Sequence, residues 1–163
     1  MSTWSSSSRI WRVFGFGVCA SLAPLAAHAE TDACTLATPA QVSASIRVPV
    51  GAGTHVTPTF VKTCTWMPTA ASSIRAVTVN LQTASFYDGA KKVALSTAAA
   101  VPAAKVKPAS VGDDGFYDVA GAMAMLWFKK GNMAVKVAVY AQLPVEEIQA
   151  MELALAKQVA AKL

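Results

Sequence analysis

Three acids crowd one short stretch of this chain, Asp113, Asp114 and Asp118. Carboxylates used as a pair can hydrolyse a glycosidic bond when one is held protonated and the other stands about 5 to 10 Å away. Glu152 is the fourth member of that pool. The same stretch does not match a calcium-binding hand, because its acids are misspaced and no bidentate Glu closes the loop. Asp114-Gly115 is read first as a turn. His55 is the one histidine between residues 30 and 163 and lies beside Gly51, Ala52, Gly53 and Thr54. A zinc centre needs three or four ligands, and a serine triad needs an activated serine, for which no Gly-x-Ser-x-Gly elbow exists. His55 is expected to be a partly exposed loop residue. Gly51 and Gly53 lack the third glycine of a dinucleotide fingerprint. No catalytic, cofactor-binding or metal-ligating set is therefore assigned, and no cofactor is expected.

The elements that must carry these residues start after an address. Arg9 and Arg12 precede an uncharged run from Val13 to Ala26, and Ala27, His28 and Ala29 make a small-x-small cleavage pattern. This is the layout of a secretory signal peptide, residues 1–29, with cleavage expected after Ala29. The run is shorter than the roughly 20 residues that span a bilayer, so no transmembrane segment is expected after cleavage. Val18 before Cys19 does not suit a lipid-attachment site. Residues 30–163 are read as a single domain in the periplasm or outside the cell. Removing Arg9 and Arg12 leaves twelve basic residues against nine acids, a net charge of +3 where the whole chain has +5. Scattered charge of that size does not point to nucleic acid.

Cys34 and Cys64 then remain, and in an oxidising compartment they are expected to pair. A redox role would favour Cys-x-x-Cys spacing instead.

Thr38, Pro39 and Gln41 form a helix start with a capping box, and the helix should reach about Ile46. A short strand is expected over Thr63 to Met67. Val77, Val79 and Leu81 alternate with polar residues, giving a strand over about Ile74 to Thr83. Tyr87 to Ala99 reads as a second helix, followed by a long loop marked by Pro102 and Pro108. The clearest element is a hairpin, Ala122 to Lys130 and Met133 to Gln142, about a Gly131-Asn132 turn. That register places Leu126, Phe128, Val135 and Val137 on one face. Trp127, Met125, Met123, Lys136 and Tyr140 fall on the other, the candidate binding face. From Pro144 to Leu163 the chain is helical in composition, with Val145, Ile148, Met151, Leu155, Val159 and Leu163 on one stripe. Glu152 falls inside that stripe. It is expected to reach a basic or hydroxyl partner at the helix edge, or else to snorkel to water.

The fold class is α+β: an antiparallel sheet of four to five strands with helices mainly on one face and the C-terminal helix packed on the sheet. Cys34, Leu36, Thr38 with Gln41, then Cys64-Thr65-Trp66, then Val111-Gly112-Asp113 before Phe116 and Tyr117, and a late hairpin leading to a helix, resemble a family of small exported bacterial envelope proteins. That family is defined as a domain of unknown function, often borne on lipoproteins. The chain departs from it in lacking a suitable lipid-bearing Cys and in having Gln41 for a more usual Glu. The resemblance implies a helix-on-sheet domain with a bridge to the Cys-Thr-Trp strand, and no catalytic residues.

The expected function is that of an exported, non-enzymatic binding or accessory domain of the cell envelope, its partner an envelope protein or ligand, with homo-oligomers left open. The alternatives are a carboxylate-dependent hydrolase or glycan-modifying enzyme, and a structural or inhibitor-like envelope protein. Left open, an apolar face carrying Trp and Tyr is the kind of surface that binds; covered by the second helix or the long Ala-Pro loop, the same residues make a second small core.

Overall fold

The structure is a computed structural model that describes residues 30–70 and 75–163. The expected signal peptide, its cleavage point after Ala29 and Cys19 lie outside the described residues. Thr38 caps the first helix, α1 (Pro39–Ile46): its hydroxyl accepts the Gln41 N–H at 3.2 Å while Gln41 Oε1 accepts the Thr38 N–H at 2.9 Å. Both orphan donors are satisfied reciprocally. The order then runs β1 (Thr54–His55), β2 (Thr63–Trp66), β3 (Arg75–Thr83), α2 (Ala84–Ala100), β4 (Ala104–Pro108), β5 (Asp114–Ala120), β6 (Met123–Lys130), β7 (Met133–Ala141) and α3 (Val145–Ala160).

The strands make one antiparallel sheet in the order β1-β2-β3-β7-β6-β5-β4. It has seven strands, where the sequence suggested four to five. The additions are the two edge strands, β1 and β4, and β5 beside β4, where the usual strand signals are weak. β4 carries Lys105, Lys107 and Pro108, residues that blunt an exposed edge and make it read as loop. In β5 the Asp113-Asp114-Gly115 turn signal runs straight into the strand, which begins at Asp114.

Two of the three helices, α1 and α3, lie on one face of the sheet, and the third, α2, covers part of the other. On one side α1 and α3 bury Val42, Ile46, Ile148, Met151, Leu155 and Val159 against Val77, Val79, Leu126, Phe128, Val135 and Val137. On the other, α2 buries Tyr87 and Ala94 against Phe116, Trp127 and Ala134. On β5 and β6 both faces carry large apolar residues, Tyr117, Val119, Leu126 and Phe128 on one and Phe116 and Trp127 on the other, so each face there needs its own cover. Among the described residues no helix is long and apolar enough to cross a membrane.

Gly131 and Asn132 join β6 to β7, with Gly131 at φ 55°, as a two-residue loop with Gly at its first central position requires. Lys130 pairs with Met133, Phe128 with Val135, Trp127 with Lys136 and Leu126 with Val137. There the ladder stops. β6 stays on β5 as far as the Met123–Ala120 pair, and β7 stays on β3 as far as the Ala141–Arg75 pair. The sheet therefore forks between β6 and β7, and the pairs expected between Met125 and Ala138, Met123 and Tyr140, and Ala124 and Val139 do not form.

Cys34 sits in a short 3-10 turn (Ala33–Thr35) and Cys64 is fully buried in β2; the two form a disulfide, with Cα atoms 5.0 Å apart. Gly53 makes room for the bridge: a Cβ there would lie 2.5 Å from Cys64 Sγ and 2.8 Å from the Trp66 ring.

Candidate functional site

The ladder registers lay out one row across the second sheet face: Thr63, Asn80, Lys136, Trp127, Phe116 and Pro108. Two residues further along the strands, Met125 of β6 pairs with Asp118 of β5. Helix α2 leaves the end of β3, where the Ala84 N–H donates to Asn132 O at 3.1 Å, and runs to the edge strand β4. Its buried side carries Tyr87 and Ala94. The neighbouring stripe, Phe86, Gly89, Ala90 and Val93, follows the i, i+3, i+4, i+7 spacing of one helix face and overhangs the sheet. Between this stripe and the strands lies a groove of about 600 Å³, with Asp118, Met125, Trp127 and Lys136 along its floor. That volume falls in the usual range for small-molecule sites, about 300 to 1,000 Å³.

The walls are apolar and aromatic. Phe86 stacks on Trp127 with ring centroids 5.8 Å apart and planes 28° from parallel. Trp127 is only 8% exposed, whereas Phe86 is 50% and Val93 66% exposed. Exposed apolar side chains beside a buried aromatic floor describe a site that can take more apolar surface out of water. Gly89 opens it further, since a Cβ added there would meet nothing within 4 Å. The groove also holds two charges. Lys136 Nζ stands 5.4 Å from the centre of the Trp127 ring, a cation–π distance. Asp118 is half-buried, and desolvation pushes its carboxyl above the usual carboxylate range. Among the described residues neither side chain has an ion-pair partner.

Of the five residues expected on the binding face, three line the groove: Trp127, Met125 and Lys136. Met123 and Tyr140 lie beyond it at 60% and 47% exposed. The face is partly covered: α2 lies across Trp127 and forms with it, Phe116 and Ala134 the second small core that was the alternative to an open face. Phe86, Gly89, Ala90 and Val93 were not singled out from the sequence, although their helical spacing beside the buried Tyr87–Ala94 stripe was the available signal.

Of the four acids, Asp113 and Asp114 share one recess, and Asp118 and Glu152 stand apart from them. Asp113 Oδ2 accepts the Gly131 N–H at 2.7 Å and ties down the hairpin turn. Asp114 is bound by Lys91 Nζ at 2.7 Å, and that contact holds its carboxyl below the usual range. Asp118 is the groove's single carboxylate among the described residues, and Glu152 sits on the opposite face of the sheet. A second recess of about 650 Å³ lies between the loop from Pro108 to Gly115 and the end of α3, lined by Asp113 and Asp114 together with Lys130 and Lys157. It lacks the groove's aromatic floor.

Glu152 neither finds a basic or hydroxyl partner nor reaches water. It is fully buried, and its Oε1 accepts the Val139 N–H at 3.1 Å while Oε2 has no partner. The reason is the fork: in a continued ladder Val139 would face Ala124 of β6, and with that strand gone a carboxyl from α3 supplies the acceptor. Desolvation pushes its pKa up to about 8, against the lowering effect of the Val139 bond. Tyr117, whose hydroxyl donates to Gln149 O at 2.9 Å, is raised to about 12 by burial and by Glu152.

His55 is on β1 and bonds Asp32: its Nε2 is 2.8 Å from Oδ1, which also accepts the Cys34 N–H at 2.7 Å. The histidine bond holds Asp32 below the usual carboxylate range. Asp32, Cys34 and His55 have their ligand-type atoms within 4.8 Å of one another. With Cys34 in the bridge, two donors remain, short of the set that zinc needs.

Compared with known proteins, the chain matches no family model, no curated protein and no solved structure.

Proposed function

We propose that this protein is an exported, non-enzymatic binding domain of the bacterial cell envelope whose ligand is held in the groove between α2 and the sheet. Export is supported by the composition of residues 1–29 and by the Cys34–Cys64 bridge, which suits an oxidising compartment. Binding is supported above all by one observation: a buried Trp127 stacked under a half-exposed Phe86, on the floor of a groove whose α2 wall is left open at Gly89. Glycine inside a helix is unfavourable by roughly 1 kcal/mol relative to Ala. Gly89 lines the groove and leaves open space where a side chain would stand, which suits a site with room for a ligand. The groove brings one carboxylate to its floor, and the two that share the second recess are already engaged, Asp113 by the Gly131 N–H and Asp114 by Lys91 Nζ, which favours binding over two-acid hydrolysis.

The test uses Gly89→Leu. The new side chain projects into open space and improves helix propensity, so the variant should melt at or slightly above the wild-type temperature. It should also fill the groove. A neutral aromatic probe such as 1-aminonaphthalene should quench or shift Trp127 emission in wild type, with at least tenfold weaker binding in Gly89→Leu. Equal binding by the two proteins would place the probe elsewhere and remove the groove as the site.

A further inference from the structure

Two opposite charges flank the apolar floor of the groove without neutralising each other. Asp118 stands on β5 beside Met125, and Lys136 stands on β7 beside Trp127. They are thus two strands and two residues apart, which separates their Cα atoms by roughly 12 Å. The lysine amine, held over the Trp127 ring at 5.4 Å, leans across β6 and shortens the gap between the charges. Between the charges run Met125 and Trp127, with Phe86 and Val93 above. Asp118 and Lys136 are both half-buried residues and make no ion pair among the described residues. A ligand with a cation at one end, an anion at the other and apolar substance between would satisfy both.

We propose that the groove takes a short apolar peptide with free ends, two or three residues long, its terminal amine at Asp118 and its terminal carboxylate at Lys136. An extended peptide advances about 3.3 to 3.6 Å per residue, so two or three residues span about 7 to 10 Å. That length fits between charges whose backbones are further apart and whose side chains reach inward. The apolar side chains of the peptide lie on Trp127 and under Phe86. An aliphatic carboxylate meets Lys136 alone and leaves Asp118 desolvated without a partner, which costs affinity. Longer peptides cannot place both ends. This ligand class rests on the groove being the binding site.

The tripeptide Leu-Phe-Leu separates the two ideas when its free form is compared with the N-acetylated, the C-amidated and the doubly capped forms, by calorimetry on the full-length protein. The free form should bind most tightly, and each cap should weaken binding about tenfold to a hundredfold, the worth of one charge-assisted contact. Asp118→Asn should erase the penalty of the acetyl cap only, and Lys136→Gln the penalty of the amide only. If either variant fails to fold, the four peptides on wild type still decide. Four equal affinities, all lost in Gly89→Leu, would overturn the two-ended recognition and leave the groove standing. Binding of the neutral aromatic probe in the groove with no peptide bound would do the same. Failure of every peptide and of the probe would overturn both.

Discussion

Replacing Glu152 by Gln should leave stability nearly unchanged at pH 5 and raise it strongly at pH 9. In the folded protein the carboxyl keeps its proton up to about pH 8, whereas in the unfolded chain it loses it near the ordinary value of 4.5. Through that window the folded state binds more protons than the unfolded one, so wild-type stability is full below about 4.5 and falls as pH rises towards 8. The loss from this one group is on the order of 5 kcal/mol when complete, comparable with the whole stability of many domains. Gln keeps a carbonyl oxygen for the Val139 N–H and cannot ionise. The melting temperatures of the two proteins should therefore differ by little at pH 5 and by about 10 °C or more at pH 9, with Gln higher. Parallel curves across that range would show that the carboxyl is not buried in the fork as described.

Removing the Cys34–Cys64 bridge should destabilise the fold by about 3 to 4 kcal/mol in the chain-entropy view, for a crosslink that closes a loop of 30 residues. The bridge joins the turn that carries Asp32 to β2, and through the Asp32–His55 bond it also fixes β1. Substituting both cysteines with Ala leaves that corner held by the Asp32–His55 bond, by the hydrogen bond from the Ala33 N–H to Val61 O at 2.8 Å and by the burial of Ala33 and Leu36. Denaturant unfolding of the double variant should show the midpoint well below wild type, and reduction of wild type should reproduce the shift. A change under about 1 kcal/mol would mean that this corner holds together without the crosslink.

Much of the frame was legible because local chemistry decided it. Thr38, Pro39 and Gln41 could hardly do anything but start a helix, and Gly131-Asn132 between two apolar runs dictated the hairpin and its first four pairs. The disulfide followed from an expected export signal and a count of two cysteines after it. What escaped was decided at a distance. The fork between β6 and β7 has no signature in Met123 to Leu126 or in Val137 to Ala141, whose alternation continues past the point where pairing ends. Glu152 looked anomalous in its stripe, but its partner is a backbone N–H that becomes available only through the fork. Nothing in the composition of α2 says which sheet face it crosses. Trp127, Met125 and Lys136 were therefore found as a face, while Phe86, Gly89 and Val93, which turn the face into a groove, were not.

The central claim is that ligand binds between α2 and the sheet, and amide chemical-shift mapping tests it directly. Titrating isotope-labelled protein with Leu-Phe-Leu, or with the aromatic probe if the peptide does not bind, should move the signals of Phe86 to Val93 on α2, of Met125 to Trp127 on β6, and of Asp118 and Lys136. The α1–α3 side should stay still. Shifts concentrated instead along α1 and α3, or in the recess beside Gly112, Lys130 and Lys157, would contradict it.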